Sequence, residues 1–280
     1  MSVVATIPAW LVGITIGDGY LDDRHVEVYN SSKFILKEVA KSIKQELKFP
    51  VDRIMVDVYS LTADKEKWSK ILDIPEVQIK LRPNSSPWNA TFEKLRIRIS
   101  SKETATQFSE FYKKIMHKTR SEKIEFVKGL FDAEGSVDLK GKIEFKQVKD
   151  DKGLKVVRVV HKILSELGIK CTKPKVKHDM KKDDFYFYVK DLEKFKSLIG
   201  FVDMEKTQKL DIIIKTYKSE KIPSEEEILS ALKKEPCSMF KLIQLLKSPH
   251  YRIQRKLKGL ADSGMIKRVR AGRQIIYSSS

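Results

Sequence analysis

The stretch Leu11-Val-Gly-Ile-Thr-Ile-Gly-Asp-Gly19 has a counterpart later in the chain, Val127-Lys-Gly-Leu-Phe-Asp-Ala-Glu-Gly135. Both stretches consist mostly of apolar or small residues, and each ends in one carboxylate followed by glycine. The two carboxylates, Asp18 and Glu134, are separated by about the length of a small domain. The repeat predicts that one structural plan occurs twice, with an acidic residue at the equivalent place in each copy.

Small residues recur four positions apart in both stretches, as Gly13 with Gly17 and as Gly129 with Ala133. Residues four apart lie on the same face of an α-helix. Each stretch can therefore form a helix with one face that has almost no side chains, and two such helices can pack with their backbones in contact. We expect the pair to bring both carboxylates to the same end, where the glycine that follows each lets the chain turn away.

The two stretches resemble the two copies of the LAGLIDADG motif in single-chain homing endonucleases, here LVGITIGDG and VKGLFDAEG. The resemblance implies an α+β fold in which two pseudo-symmetric αββαββα half-domains are joined at the helix pair. It also implies that Asp18 and Glu134 are catalytic and hold a divalent metal, together with the backbone carbonyls of Gly17 and Ala133. The metal would be Mg²⁺, for which Mn²⁺ can substitute.

The first copy departs from the motif at Thr15 and Ile16, where an apolar and then an acidic residue are common. This departure changes packing more than chemistry, because the terminal acid and its glycine are intact. Phosphodiester cleavage needs an activated water and charge neutralisation at the phosphate, which divalent ions supply. Carboxylate and carbonyl oxygens are the ligands that Mg²⁺ prefers.

Four further site residues follow from the same resemblance. Lys190 stands where a site lysine is expected in the second half, and Lys102 is the candidate in the first. Asn30 and Gln147, at the ends of hairpin strands, match polar site positions. The alternative is that all four are surface residues at strand ends.

The composition indicates a polyanionic partner. The 280 residues include 56 Lys and Arg against 38 Asp and Glu, a net charge of +18. Nucleic acid is the first candidate, since no run approaches the ~20 apolar residues of a membrane-spanning helix. The two cysteines and five histidines are scattered, which argues against a cysteine- or histidine-ligated metal. We expect a soluble, intracellular, nucleoid-associated protein that is a monomer without an obligate protein partner.

Hydrophobic periodicity divides the chain into three predicted domains. These are half-domain 1 at residues 1–118, half-domain 2 at 119–220 and a third domain at 221–280. In the first half, alternating apolar runs at 54–58, 77–81 and 95–99 predict strands. The second half repeats the order of helix, hairpin, helix, strands and helix.

Basic residues occupy the alternate positions of these strands, so that the sheet face opposite the core is cationic. Such a face suits a DNA backbone, although an ordinary solvated face has the same composition. The residues of the two half-domains that we expect to contact DNA are Arg24, Lys33, Lys80, Arg82, Arg96, Arg98, Lys140, Lys142, Lys146, Lys175, Lys177, Tyr186 and Tyr188.

The last sixty residues predict three helices and a hairpin, the pattern of a winged helix-turn-helix DNA-binding domain. From Ile222 onward the chain has twelve Lys and Arg residues against five Asp and Glu. The predicted recognition helix presents Tyr251, Arg252, Arg255 and Lys256 to DNA, and the hairpin presents Arg268, Arg270 and Arg273. The alternative for the hairpin is a protein contact.

The function that these patterns favour is site-specific cleavage of double-stranded DNA. Two motifs in one chain allow a long, asymmetric target. One alternative is a DNA-binding regulator that kept the scaffold and lost cleavage, as bacterial sporulation regulators with a LAGLIDADG-like domain are thought to have done. Another is an RNA maturase. The presence of both acids favours the enzyme.

Overall fold

A computed structural model describes residues 7–60, 64–82, 93–178, 183–271 and 274–280 of the chain. These residues form a mixed α+β fold with three β-sheets, and the α+β class predicted from the sequence is confirmed. None of the described helices is both long enough and apolar enough to span a bilayer.

The first part of the chain forms a five-stranded sheet flanked by helices. Its helices are α1 (Ala9–Asp18), α2 (Lys33–Lys41), α3 (Lys65–Leu72) and α4 (Lys102–Lys113). Its strands are β1 (Gly19–Leu21), β2 (His25–Asn30), β3 (Ile54–Tyr59), β4 (Ile79–Leu81) and β5 (Lys94–Ser100). The strand order is β1-β2-β5-β3-β4, and all neighbours are antiparallel except β3 and β4. The predicted alternation is confirmed at 54–58 and 95–99, where the apolar residues are buried. It is wrong at 77–81, because Val77 is 79% exposed and lies in a short turn of helix before β4, and Leu81 is exposed as well.

Helix α3 was not predicted from the sequence. Only Trp68 and Leu72 of this helix are buried, and most of its other residues are charged. Two buried apolar residues are too few to reveal helical periodicity in the sequence. Asp64 caps the helix by accepting a hydrogen bond from the backbone N–H of Lys67. Because α3 carries the chain back across the sheet, β4 pairs parallel to β3, as a helical crossover requires.

The second part of the chain repeats the order of elements without the additional helix and strand. Its helices are α5 (Arg120–Glu134), α6 (Asp151–Glu166), α7 (Leu192–Leu198) and α8 (Met204–Tyr217). Its strands are β6 (Gly135–Asp138), β7 (Lys142–Val148), β8 (Lys175–Lys177) and β9 (Asp184–Val189), in the order β6-β7-β9-β8. When β4 is set aside, both sheets place their first, second, fourth and third strands side by side.

Helices α1 and α5 pack with their backbones in contact, as predicted. A Cβ atom placed on Gly13 would collide with the carbonyl oxygen of Phe126, and one placed on Gly129 would collide with that of Trp10. The two contacts are equivalent, because Gly129 and Phe126 each lie 116 positions after Gly13 and Trp10. Each helix therefore presents its glycine to the same turn of the other.

The two ends of these helices are formed in different ways. Thr119 forms a capping box with Glu122 at the start of α5. Gly19 and Gly135 follow the helices with φ of −125° and −76°, so neither adopts the left-handed conformation expected of a glycine C-cap. Both are needed for space instead, since a Cβ atom on either would collide with the last turn of its own helix.

A buried carboxylate also links the two motif helices. The indole Nε1 of Trp10 donates a hydrogen bond to Asp132 over 2.8 Å, and the backbone N–H groups of Val202 and Asp203 donate to the same carboxylate. A carboxylate this deeply buried is tolerated only when hydrogen bonds satisfy it. Asp132 thus fastens the last turn of α5 both to α1 and to the segment that precedes α8.

The equivalent position in the first copy is apolar. Ile16 lies 116 positions before Asp132, and Phe126 lies 116 positions after Trp10. Ile16 and Phe126 are both buried. The departure of Ile16 from the motif is therefore one half of a matched difference, in which two buried apolar residues, Ile16 and Phe126, hold the positions equivalent to the hydrogen-bonded Asp132 and Trp10.

The C-terminal residues form three helices and a three-stranded sheet. The helices are α9 (Glu225–Lys234), α10 (Met239–Leu246) and α11 (His250–Asp262). The strands are β10 (Cys237–Ser238), β11 (Ile266–Ala271) and β12 (Gln274–Ser279), in the order β10-β12-β11. They enclose a core of their own, which includes Ile228, Leu242, Ile253, Leu257 and Leu260.

The chain divides into two compact units. One comprises residues 1–136 and 145–204, and the other comprises residues 137–144 and 205–280. The second unit contains the C-terminal elements together with the turn between β6 and β7. The division into domains at residues 118 and 220 stays a prediction.

We expect Gly13→Ala and Gly129→Ala each to lower the free energy of unfolding by about 1–3 kcal/mol, because the new methyl group forces the helix backbones apart. Gly259→Ala is the matched control. Gly259 lies inside α11 with nothing within 4 Å of its added Cβ atom, so this change should leave stability equal or raise it by up to about 1 kcal/mol. Urea unfolding of the three variants measures the difference, and equal effects would contradict the backbone contact.

Candidate active site and nucleic-acid surfaces

The last residues of the two motif helices lie close together. Asp18 ends α1 and Glu134 ends α5, and both are partly buried. Gly17 lies against Ala133, and a Cβ atom placed on Gly17 would be 3.4 Å from Cγ of Glu134. Gly13 meets an earlier turn of α5, so the helices run parallel and their C-terminal ends coincide.

The electrostatics of this end favour a cation. The last carbonyl groups of a helix lack intrahelical partners and carry the negative end of its dipole, so helices commonly have a basic residue there. Neither α1 nor α5 has a basic residue in its last turn, and each ends in an acid instead. Two carboxylates and two helix C-termini therefore converge, and Asp18, Glu134 and the carbonyls of Gly17 and Ala133 are the oxygen donors that a hard divalent cation prefers.

Asn30 fixes the orientation of Asp18. Its side-chain amide donates a hydrogen bond to Oδ2 of Asp18 over 2.9 Å, while its Oδ1 accepts one from the backbone N–H of Ser32. The amide is thus held from the start of α2. A polar residue at the end of β2 accordingly acts on the first acid, and the structure brings these two predicted site residues together.

Gln147 occupies the corresponding end of β7. Its Nε2 atom is buried and makes no hydrogen bond to the described residues. Buried amide donors are normally satisfied, so this group calls for an acceptor from outside the described chain.

The two predicted lysines differ in their place relative to a helix cap. Lys190 precedes Asp191, the N-cap of α7, and its backbone N–H donates to the carbonyl of Lys170. Lys102 follows Ser101, the N-cap of α4. Both lysines are exposed, but they do not hold equivalent positions. The residue that precedes the cap in the first half is Ser100.

The first sheet carries an ion-pair network on the face that was predicted to be cationic. Arg96 donates to Asp57 through Nε and a terminal nitrogen, and its other terminal nitrogen lies 3.4 Å from Glu27. Arg82 donates through Nε to the second oxygen of Asp57 over 2.9 Å. Arg98 lies 3.8 Å from Glu27. Two acids thus offset three arginines, and the face has mixed charge.

Glu27 and Asp57 were missed from the sequence, although a signal was present. Each alternates with buried valines, and the period of two places it on the same face as the arginines. Burial by itself would raise the pKa of Asp57, but hydrogen bonds from Arg96 and Arg82 outweigh burial and hold this pKa below its ordinary value. Burial and the hydrogen bond to Glu27 raise the pKa of the Tyr29 hydroxyl on the same face.

These contacts bear on the predicted DNA-binding residues of the first half. The side chain of Arg96 is only 18% exposed and is engaged at all three nitrogens, whereas that of Arg82 is 44% exposed. Lys80, Arg24 and Lys33 are exposed. The first sheet therefore offers Arg82 and the exposed lysines to a ligand more readily than Arg96.

The predicted residues of the second half lie on or beside the four-stranded sheet. Lys146 pairs with Asp184 over 3.1 Å, and the rings of Tyr186 and Tyr188 meet edge to face with centroids 5.3 Å apart. The exposed residues of this set are Lys140, Lys142, Lys175 and Lys177.

Two of the four residues predicted on the recognition helix are engaged within the second unit. Arg252 donates from one terminal nitrogen to the carbonyls of Ser219 and Lys221, and Lys256 lies 3.4 Å from Glu225. The other two, Tyr251 and Arg255, are exposed, as are Arg268 and Arg270 on β11. Arg273 lies outside the described residues.

Divalent cations should stabilise the protein through the two acids. We expect Mg²⁺ or Ca²⁺ at 100 times the dissociation constant to add about 2.7 kcal/mol to the free energy of unfolding relative to chelator. The double variant Asp18→Asn, Glu134→Gln should lose this gain, while Asp23→Asn, a highly exposed acid in the turn between β1 and β2, should keep it. Thermal unfolding with and without metal checks the expectation, and an undiminished gain in the double variant would contradict it.

Asp57→Asn should lower the free energy of unfolding by about 3–5 kcal/mol, because it removes the buried carboxylate that accepts from both Arg96 and Arg82 and leaves Glu27 as the remaining acid beside Arg96. Asp73→Asn, which removes an ion pair with Lys44 at a 93% exposed carboxylate, should cost far less, because solvent screens that pair. Because the pKa of Asp57 is lowered on folding, the difference from wild type should be complete above about pH 4 and shrink as the pH falls below it. Urea unfolding between pH 3 and pH 7 measures this dependence, and a difference that grows with acid would contradict it.

Comparison with known proteins identifies one segment. Residues 121–200 match the sequence model of the LAGLIDADG-like domain family. A comparison with curated proteins gives no significant match. Among solved structures, mesophilic variants of the homing endonuclease I-DmoI are 18% identical, with 69% of this chain and 94% of that chain covered and a TM-score of 0.47.

Two further solved structures are similar to this chain. I-DmoI in complex with DNA and Mn is 18% identical, with 69% and 96% of the two chains covered and a TM-score of 0.45. Full-length DUF199/WhiA from Thermatoga maritima is 16% identical, with 92% and 90% covered and a TM-score of 0.46. The segment matched by the family model runs from the first turn of α5 past the end of α7 and includes Glu134. Residues 121–200 are therefore similar in sequence to the LAGLIDADG-like domain family.

Proposed function

We propose that this protein is a site-specific, double-stranded DNA endonuclease of the homing type, with two pseudo-symmetric LAGLIDADG half-domains. The observation that carries the proposal is the equivalence of the contacts between α1 and α5. Gly13 and Gly129 each meet the partner helix at positions related by the same offset of 116 residues, and this offset also relates Asp18 to Glu134. Each copy therefore contributes one acid to the C-terminal end of the α1–α5 helix pair.

The strand order supports the two half-domains. In both sheets the hairpin that follows the motif helix lies at one edge, and the fourth strand of the plan inserts beside it. Helix α3 and strand β4 are then an insertion at the outer edge of the first sheet. The family match covers the second copy, and the repeat extends its plan to the first.

The chain's own residues account for binding and orientation in the proposed reaction. Asp18, Glu134 and the carbonyls of Gly17 and Ala133 would hold Mg²⁺ or Mn²⁺, which when bound activates water and neutralises charge on the phosphate. Asn30 keeps the Asp18 carboxylate oriented toward the end of the helix pair. In this proposal Gln147 supplies a hydrogen-bond donor in the second half, and Lys102 and Lys190 supply positive charge near the cleaved strands.

The two copies are similar but not identical, which suits an asymmetric target. One acid is aspartate and the other glutamate, and the first sheet has a buried ion-pair network at Asp57 and Arg96. The exposed basic residues of both halves would follow the DNA backbone. In this proposal the chain acts as a monomer, because it contains both acids.

The C-terminal helices and strands constitute, in our proposal, a winged helix-turn-helix domain that binds nucleic acid. Three helices followed by a two-stranded wing match this pattern, and the segment has an excess of seven basic residues from Ile222 onward. Its separate core and its charge also favour a second candidate function, a DNA-binding regulator that does not cleave.

Cleavage distinguishes the two candidates. We would incubate the protein with a plasmid library of random inserts, with and without Mg²⁺, and sequence the ends that form. Wild type should give discrete breaks at one long site. Asp18→Asn and Glu134→Gln should each lower the cleavage rate about 10³-fold or more while binding persists, since each removes charge that holds the metal.

Asp23→Asn is the control for cleavage, because it removes an exposed carboxylate of the turn between β1 and β2 and no expected metal ligand. It should cut at the wild-type rate. Tight binding of duplex DNA with every plasmid intact under Mg²⁺ and Mn²⁺ would overturn the nuclease and leave the regulator.

A further inference from the structure

A groove of about 880 Å³ opens within the second unit, along the exposed face of α11. It is lined by residues of α11, β11 and β12, by Asp138 and Leu139 at the end of β6, and by Lys209 of α8. Leu139 packs against the C-terminal core, and the turn residue Gly141, with φ of +82°, lies against the ring of Tyr217. The turn after β6 is thus anchored in the same unit as α11.

The groove is lined by a continuous stripe of α11. Tyr251, Gln254, Arg255 and Lys258 follow one another at helical spacing and all face it. All four are exposed, so a ligand can reach them.

The ring of Tyr251 packs with one face against the guanidinium of Arg252. The guanidinium carbon of Arg252 lies 5.6 Å from the ring centroid, and that guanidinium is itself bound to the carbonyls of Ser219 and Lys221. The ring is nonetheless 58% exposed. An exposed aromatic ring with a fixed orientation is the platform on which proteins stack an unpaired base.

The charge of the groove favours an anion. Arg255, Lys258 and Arg268 line it together with Lys209, against the two carboxylates of Asp138 and Asp262. Lys209 is paired with Glu205, which leaves the arginines and Lys258 as the main positive charges.

The lining of the groove favours a single strand over a duplex on this face. A recognition helix enters a major groove about 12 Å wide with its outer face directed at the bases. Here Asp138 and Leu139 line the same groove as the outer face of α11, and a volume of about 880 Å³ is of the size that holds a ligand of a few rings. A flexible strand of a few nucleotides fits such a groove, with phosphates at the arginines and a base on Tyr251.

We infer that this groove binds single-stranded nucleic acid, with Tyr251 as the stacking platform and with Arg255 and Lys258 as the backbone contacts. The inference goes beyond the proposed cleavage, since it holds whether or not Asp18 and Glu134 support catalysis. It names the ligand class of the α11 face, where the sequence had predicted a duplex.

Fluorescence anisotropy with labelled 12-nucleotide dT and U strands and with a random 20-base-pair duplex tests the assignment on the full-length protein. Tyr251→Ala should weaken single-strand binding about tenfold, whereas Tyr251→Phe should stay within twofold, because stacking needs the ring and not the hydroxyl. The double variant Arg255→Ala, Lys258→Ala should reduce the salt dependence by about 1.4 in the logarithmic slope. The two strands show whether DNA or RNA is preferred.

Lys233→Ala, Lys234→Ala is the charge-matched control, because it removes two exposed lysines of α9 that do not line the groove. It should leave single-strand binding near wild type. All substituted side chains are exposed, and thermal unfolding verifies that the variants fold.

Three results would overturn the site: no single-strand binding at concentrations that saturate the duplex, Tyr251→Ala equal to wild type, or equal losses for single strand and duplex. The last result would assign α11 to duplex recognition. The cleavage assay fails or succeeds separately, because it depends on Asp18 and Glu134 and not on Tyr251.

Discussion

The backbone contact between α1 and α5 is the constraint on which the arrangement of the first unit depends. Side chains usually hold packed helices 8–10 Å apart, and glycine at the crossing points allows a closer approach. Once Gly13 meets the carbonyl of Phe126, and Gly129 that of Trp10, neither helix can slide by a residue without a collision. The positions of Asp18 and Glu134 follow from that register, since each is the last residue of its helix.

The same contact explains how two copies of one plan can diverge without losing their shared end. The backbones repeat with an offset of 116 residues, but the hydrogen-bonded pair of Trp10 and Asp132 in one place is replaced by the apolar pair of Phe126 and Ile16 in the other. Asp132 has a further use, because it also accepts from the backbone ahead of α8. Asp132 therefore connects α5 to the backbone just before α8. Ile16, at the equivalent position of α1, has no polar group with which to form such hydrogen bonds.

The sequence was sufficient to predict the structure where one pattern of residues dominated. The repeated glycine spacing predicted the helix contact, and alternation predicted β3 and β5, because both patterns report directly on which face is buried. The sequence was insufficient where a residue fitted two structural roles or where only a few apolar residues marked an element. Helix α3 shows only two buried residues, and Gly19 and Gly135 look like left-handed caps although their role is to avoid a collision. The ion-pair network at Asp57 and Arg96 could have been predicted, since the alternation places these acids and arginines on one face of the sheet. It was missed because only the basic residues of that face were considered.

The role of a charged residue therefore depends on its position in the fold. Asp57, on the one hand, and Asp18 and Glu134, on the other, illustrate two different roles. Asp57 is almost completely buried between Arg96 and Arg82, where its charge holds strands together and lowers the net charge that a ligand meets. Asp18 and Glu134 end helices that have no basic residue in their last turn, where the helix dipole makes a second negative charge costly. In our proposal, a bound divalent cation offsets this cost. The position relative to the helix dipole, more than the number of acids, separates the structural carboxylates from the pair that we propose binds metal.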